Sequence, residues 1–545
     1  MDYKDLADLI FPDAKDISYY EEMYPERNLP EGAVVTRFAP SPTGYVHIGG
    51  LYQCVLENVL TKRTNGVLFL RVEDTDQKRE IENGVAGIVD SLKNFDIEYD
   101  EGLISENDEK GSYGPYKQSL RGEIYQAYAK YLLAQGKAYP CFATPEELEE
   151  LRSKQEAAKI RPGYYGVWAK YRNLTVEEAA ERIKNGENYV IRFKSPGRED
   201  RKIKHKDVIK GNIEFPENDL DIVIIKGDGL PTYHFAHVVD DHLMRTTHVI
   251  RCDEWVSSIP IHLQLFYEMG FKAPKYAHYA PIMKEDEGKK RKISKRKDPE
   301  AAVEFYFKEG IPAQSVKEYL LNIANSTFEN WRRANPDKDI NEFDFQLNKM
   351  SVSGALFDMV KLLDVSKNVI SKYSAERVYN EAIAWANEFD SELAEMLSEN
   401  KEYSLKVLGI ERGNAKPRKD LSKWSELKYT ISYMYNNKFD KNAEFEYAKI
   451  ADKDDISKIT KLYVEKYFDI NDDKQTWFDK MKDLAEELGY AREVKEFKLD
   501  PEKWPGHVGD ISTVIRVTLT GRQNTPDLYE IMQVLGKETV VERLS

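Results

Sequence analysis

Two lysines three residues apart, Lys292 and Lys295, belong to the string KISKR, Lys292 to Arg296, inside a run from Lys284 to Lys297 with eight Lys/Arg against three Asp/Glu. Paired cations on a loop suit phosphate charge, which they would meet by electrostatics rather than by proton transfer. A basic run by itself is more often a solvated loop, so its neighbours have to decide. A second string, RFAPSPTGYVHIGG from Arg37 to Gly50, ends where a helical pattern begins. The free N–H groups and positive dipole end of a helix amino terminus favour a phosphate there, Gly49 and Gly50 allow a base or sugar close to the backbone, and His47 can donate to a phosphate. A Gly-Gly pair after a strand is on its own more often a tight turn than a ligand site.

The elements that must position these groups alternate. AVVTR, Ala33 to Arg37, is a short β-branched strand; Pro40, Pro42 and Gly44 break it, and Leu51, Val55 and Val59 recur at helical spacing up to Gly66. Val67 to Val72 predicts a second strand, and Ile81, Val85, Ile88, Val89 and Leu92 a second helix. Alternation of this kind implies a parallel sheet covered on both faces, with ligands at the carboxyl ends of its strands. The pattern weakens after about Tyr139 and resumes at Asp221 to Lys226 and His248 to Arg251, so an insertion splits the nucleotide fold. After about Asp298 the spacing turns helical, through Val316, Tyr319, Leu320 and Ile323 and again through Ala355, Met359, Leu362 and Val365.

With 545 residues the chain is expected to hold several packed units. Charged residues make up 32%, and no apolar run approaches the roughly 20 residues of a membrane span. Met1 to Pro12 carry Asp2, Asp5 and Asp8 and lack the basic start and apolar core of a secretory signal, so a cytoplasmic protein is expected. The net charge, 80 − 95 = −15, argues against coating nucleic acid with the whole surface and confines any such contact to local basic faces. Lys194 to Lys210, with seven Lys/Arg against three Asp/Glu, is one such face. Cys54, Cys141 and Cys252 are far apart and form no Cys-x-x-Cys pair, which argues against disulfides and structural zinc.

RFAPSPTGYVHIGG closely resembles the first nucleotide-binding motif of class I aminoacyl-tRNA synthetases, in the form found in bacterial-type glutamyl-tRNA synthetases. RVEDTD (Arg71 to Asp76), LPTYHFA (Leu230 to Ala236), VVDDHLM (Val238 to Met244), HVIRCDEW (His248 to Trp255) and KISKR resemble that family's later motifs in the right order. The resemblance implies that Lys292 and Lys295 act on ATP with Ser294 shaping their loop, that His47 and Gly49 hold its phosphates and adenosine, and that Glu254 and Trp255 close over it. It places Arg37, Ala39, Ser41, Glu73, Tyr233 and Arg251 around glutamate. Two guanidiniums suit a substrate with two carboxylates, and Glu73 offers the negative partner an α-ammonium needs. Arg251 could instead tie its own strand to Asp253 or Glu254. His237 stands where many relatives have Asn, Cys252 where Gly is common, and Cys141 alone remains where several relatives cluster zinc-binding cysteines.

The implied fold is an α/β Rossmann-type catalytic domain split by an α+β insertion and followed by an all-α carboxyl-terminal anticodon-binding half. Its expected limits are an amino-terminal extension at 1–31, the first catalytic half at 32–135, an acceptor-binding insertion at 136–218, the second catalytic half with the KISKR loop at 219–298, a helical stem-contact region at 299–375 and the anticodon-binding domain at 376–545. The activity implied is glutamate–tRNA ligation with ATP and Mg²⁺, without zinc, on tRNA(Glu) and L-glutamate, by a monomer. A relaxed enzyme that also charges tRNA(Gln), and a catalytically silent tRNA-binding paralogue, stay open; intact His47, Glu73, Arg251, Lys292 and Lys295 weigh against the silent copy.

Overall fold

The computed structural model describes residues 1–42, 46–76, 81–415 and 417–545; Thr43 to Tyr45 of the first motif lie outside them. The chain divides into two compact units, one of 1–305 with 317–358 and one of 306–316 with 359–545. No helix among the described residues is long and apolar enough to cross a membrane.

The first unit opens with two short helices, α1 (Tyr3–Ile10) and α2 (Ile17–Met23), each begun by an aspartate cap. A parallel sheet follows. β1 (Val35–Phe38) pairs with β2 (Val67–Leu70) across α3 (Ile48–Thr64), and after α4 (Gly84–Asn94) the strand β3 (Glu101–Leu103) pairs with β2, with β4 (Glu109–Lys110) antiparallel at the edge. All residues of β1 and β2 are buried, as expected where helices cover both faces of a sheet. The turn before β2 has to be Gly66, because a Cβ there would lie 1.9 Å from the Val34 carbonyl oxygen.

Beyond α5 (Gly122–Ala134), against which α1 packs, lies the inserted layer. β5 (Ala138–Cys141), helices α6 (Pro145–Ala157) and α7 (Val176–Lys184), and β6 (Val190–Phe193) lead to a hairpin of β7 (Lys202–Asp207) and β8 (Gly211–Pro216). β9 (Val223–Ile225) then returns beside β6, completing an antiparallel sheet in the order β5-β6-β9. α8 (Tyr233–Leu243) leads to the parallel pair β10 (His248–Cys252) and β11 (Lys275–Tyr279), joined by α9 (Ile259–Glu268). Thr247 donates its backbone N–H to Val35 O at 2.9 Å, which sets β10 beside β1, and the Val208 N–H reaches Tyr276 O at 2.8 Å, which sets the β7–β8 hairpin beside β11. The strand sequence therefore changes direction between β1 and β10, the crevice where open α/β sheets bind ligands.

Three expectations change. Asp221 to Lys226, where the nucleotide pattern was expected to resume, holds β9, which pairs antiparallel with β6 and so belongs to the sheet of β5 and β6. The basic run from Lys284 is not one loop: β12 (Met283–Asp286) and β13 (Lys289–Lys292) form a hairpin, and its turn, Glu287-Gly288 with φ of 50° and 77°, has the paired positive values of a two-residue β-turn. The helix expected from Ala355 starts at Met359. Ala355 to Phe357 run along β12 instead, with Met283 N–H donating to Ala355 O at 2.9 Å and Phe357 N–H to Met283 O at 2.7 Å.

The second unit is helical, with Met359–Ile370, Ala375–Phe389, Ser391–Glu399 and Lys401–Gly409 early and Val508–Thr520, Leu528–Leu535 and Lys537–Leu544 late. Gly521, at φ 68°, ends Val508–Thr520 in the left-handed conformation usual after a helix.

Candidate active site

A cavity of about 610 Å³ opens at the carboxyl ends of β10 and β11 and the amino end of α3. Its wall includes His47, Gly49, Arg251, Glu254, Trp255, Lys292, Ser294 and Lys295, eight of the residues singled out from the sequence, together with Gly50, Gln53, Cys252 and Tyr279.

His47 caps α3. Its Nδ1 accepts the Gly49 N–H at 2.9 Å, so when the ring is neutral its proton is on Nε2. Burial, with Lys295 and Lys292 nearby, pushes its pKa down to about 4, and at neutral pH it is an uncharged donor. The KISKR segment is pinned from below by Asp298, whose carboxylate accepts Arg291 Nη1 at 2.6 Å and Nη2 at 2.8 Å and the Ser294 N–H at 2.9 Å. Lys292 pairs with Glu254 at 2.5 Å; burial opposes its charge, but Glu254 holds its pKa above the ordinary value. Burial lowers that of Lys295.

Below this wall lies a layer of buried charge. On α8, Tyr233, His237 and Asp241 recur four residues apart and so share one face. The Asp241 carboxylate accepts Arg37 Nε at 3.1 Å and Arg71 Nη1 at 2.8 Å, and His237 Nδ1 lies 2.8 Å away. Burial opposes its charge, but Arg37 and Arg71 hold its pKa well below the usual carboxylate range. The adjacent Asp240 accepts Arg121 Nε at 2.7 Å, Gln118 Nε2 at 2.8 Å and the Tyr125 hydroxyl at 2.7 Å. Arg71 Nη2 donates to one oxygen of Glu73 at 3.1 Å. Neither the other Glu73 oxygen nor the Nη groups of Arg37 make a hydrogen bond among the described residues. Burial raises the pKa of Glu73, against Arg71 and Arg37.

Arg251, on β10 and 4% exposed, is held differently. It donates from Nε to His278 Nε2 at 2.9 Å, from Nη1 to the Tyr233 hydroxyl at 3.1 Å and from Nη2 to Trp255 O at 3.3 Å, and its Nη2 lies 3.3 Å from His262 Nδ1. None of these partners is a carboxylate: the strand tie to Asp253 or Glu254 is not formed, and among the described residues Arg251 makes no ion pair. The Tyr233 ring lies 4.5 Å from that of Trp255, tilted by 40°, which links the cavity wall to the charged layer. Ala39 is half-buried and Ser41 exposed on the loop after β1; neither lines the cavity.

The motifs did not mark Asp241, Asp298 or the pair Asp207–His278 as functional. For Asp240 and Asp241 a signal existed: two carboxylates inside the apolar run VVDDHLM are seldom buried without cations. Cys141 is also buried, and its thiol donates to the Tyr164 hydroxyl at 3.4 Å. Among the described residues no group of three or more His, Cys, Asp or Glu is arranged to hold a metal.

A parallel sheet with a cavity of this size at the end of β10 and two lysines on its rim suits an enzyme that uses a nucleotide, and comparison with known proteins makes it a class I tRNA synthetase. Residues 33–364 match the family of class I tRNA synthetases for glutamate and glutamine (E and Q), catalytic domain, and residues 506–545 match an anticodon-binding domain. The chain is 52% identical to the glutamate–tRNA ligase of Clostridium perfringens strain SM101 over 100% of this chain and 99% of that one, and 50% identical to that of Acetivibrio thermocellus over 100% and 99%. A solved glutamate tRNA ligase from Elizabethkingia meningosepticum, in complex with its amino acid, superposes with a TM-score of 0.73 at 27% identity, covering 94% of this chain and 98% of that one. The chain belongs to the glutamate–tRNA ligase family.

Proposed function

We propose that the protein joins L-glutamate to tRNA(Glu) with ATP. The α-carboxylate of glutamate attacks the α-phosphate, pyrophosphate leaves, and the 2′-hydroxyl of the terminal adenosine of tRNA takes the glutamyl group from the adenylate, releasing AMP. No side chain has to be a nucleophile; positioning and charge stabilisation suffice. Lys295 and Lys292 meet the charge on the departing phosphates, Lys292 exchanging Glu254 for phosphate, and the His47 Nε2–H donates to a phosphate oxygen. Gly49 and Ser294 shape the nucleotide's seat, and Trp255 with Glu254 closes it. Mg²⁺ would neutralise phosphate charge, and because no metal-holding group of three exists among the described residues it fits best as an ion carried in on ATP.

Arg251 takes the side-chain carboxylate of glutamate with Arg37 as helper, Tyr233 bridges them to the wall, and Glu73 meets the α-ammonium beside the loop of Ala39 and Ser41. The observation that carries this reading is Arg251 itself, a buried guanidinium with no acidic partner among the described residues, in the wall of the cavity. A buried cation without a counter-charge is costly, and a ligand carboxylate would remove the cost. The exposed lysines of β7, Lys202, Lys204 and Lys206 in KIKHKD, suit phosphates at the acceptor end of tRNA, and the helical second unit suits the anticodon end. Aminoacylation of purified tRNA(Glu) and tRNA(Gln) with glutamate and with glutamine tests the assignment. Product is expected with glutamate on tRNA(Glu); product on both tRNAs would make it a relaxed enzyme, and none on either would overturn it.

A further inference from the structure

Arg251 is aimed by a chain of hydrogen bonds that starts outside the nucleotide fold. Asp207 ends β7, and its carboxylate lies 2.6 Å from His278 Nδ1. His278, on β11, presents Nε2 to Arg251 Nε at 2.9 Å. Arginine has no lone pair to offer, so Nε2 must accept and the His278 proton must sit on Nδ1, facing Asp207. All three side chains are buried. Asp207 is itself fixed, accepting the backbone N–H of Ile209 at 2.9 Å and of Lys210 at 2.8 Å. The Lys210 ammonium in turn reaches Asp253 at 3.0 Å, in the segment that carries Glu254 and Trp255.

We propose that Asp207 and His278 are positioning residues for glutamate selection: the base of the inserted hairpin sets the tautomer of His278, and His278 sets the direction of the Arg251 fork toward the substrate's side-chain carboxylate. The relay lets Arg251 be held rigidly without being neutralised. A carboxylate bonded directly to Arg251 would fix it equally well but compete with the substrate, whereas a neutral imidazole fixes Nε and leaves the charge to be met from the cavity. The inference rests on the reading that Arg251 meets the glutamate side chain.

Asp207→Asn and His278→Leu break the relay at different bonds. An asparagine amide facing Nδ1 no longer requires the proton there, so the Nε2–H tautomer, which would oppose the Arg251 donor, becomes available. Each variant is expected to raise KM for glutamate about 10- to 100-fold, the worth of one charge-assisted hydrogen bond, with kcat and KM for ATP nearly unchanged. The preference for glutamate over glutamine should narrow with it. His278→Gln, whose amide can donate to Asp207 and accept from Arg251, should recover most of the loss. A merely structural role would lower kcat for both amino acids together and give no recovery in His278→Gln, and either result would overturn the proposal. Arg251→Ala measured alongside separates the two readings: a narrowed preference there with none in Asp207→Asn or His278→Leu defeats the relay alone, and an unchanged preference in Arg251→Ala defeats the assignment of Arg251 first.

Discussion

Two sets of buried arginines lie within the catalytic unit, and they are built in opposite ways. Arg37, Arg71 and Arg121 meet Asp240 and Asp241 of α8 directly, at 2.7 to 3.1 Å. Arg251 meets two histidines, a tyrosine and a carbonyl. A buried ion pair does not favour folding strongly by itself, but removing one partner leaves a stranded charge; the first set is therefore a structural unit. Arg251 already has its charge stranded, and on the proposed reading the substrate's carboxylate supplies what is missing. Arg37 belongs partly to both sets, with Nε committed to Asp241 and its Nη groups without partners among the described residues.

The largest effect is expected on the paired side. Asp241→Leu strands Arg37, leaves Arg71 hydrogen-bonded to one carboxylate, Glu73, in place of two, and should lower unfolding stability by about 3 to 5 kcal/mol, read as a shifted denaturation midpoint. A loss under about 1 kcal/mol would mean that the arginines find water or other partners, and the distinction between the two sets would fail.

Next in size is Lys295→Ala. It should slow adenylate formation by about a hundredfold, roughly 3 kcal/mol of transition-state stabilisation, while tRNA affinity stays nearly constant. An unchanged single-turnover rate would remove Lys295 from the chemistry.

Acid should have the next effect, through the buried histidines around both sets. Burial lowers the pKa of His47, His234 and His248 to about 4 and of His237 to about 3, against an ordinary 6.5. Between these values the unfolded chain binds protons that the folded chain refuses. Stability therefore rises with pH across this window, is fully present above about 6.5 and is lost progressively toward 4. Urea midpoints at pH 7 and pH 5 should differ in that direction; equal midpoints would mean that these histidines are hydrated in solution.

The smallest effect is the sharpest contrast. Arg251→Met removes a cation that has no counter-charge among the described residues, so stability should change by no more than about 1 kcal/mol while glutamate activation collapses. A loss as large as that of Asp241→Leu would make Arg251 a structural arginine like the others.

Much of this was legible in the sequence, and the limit has a physical form. The alternation of β1, α3 and β2 and the helical carboxyl half follow from apolar spacing, which is local. His47, Arg251 and KISKR stand in contiguous motifs. The groups that control them come from far away: Asp241 is 204 residues from Arg37, Asp207 is 71 from His278, and no spacing rule joins residues that meet only when β1, α8 and β10 assemble. The hairpin of β12 and β13 was hidden for another reason: β13 is all lysine and arginine, and neither strand alternates apolar with polar residues.

On the proposed reading Arg251 is held without a carboxylate partner among the described residues so that the glutamate side chain can complete it. The most direct test of that reading is kcat/KM for glutamate and for glutamine in the wild-type protein and in Arg251→Ala. The expected result is a fall of about 3 to 5 kcal/mol for glutamate with a much smaller change for glutamine, so that the preference between them narrows. Equal losses for both amino acids, with the ratio unchanged, would contradict it.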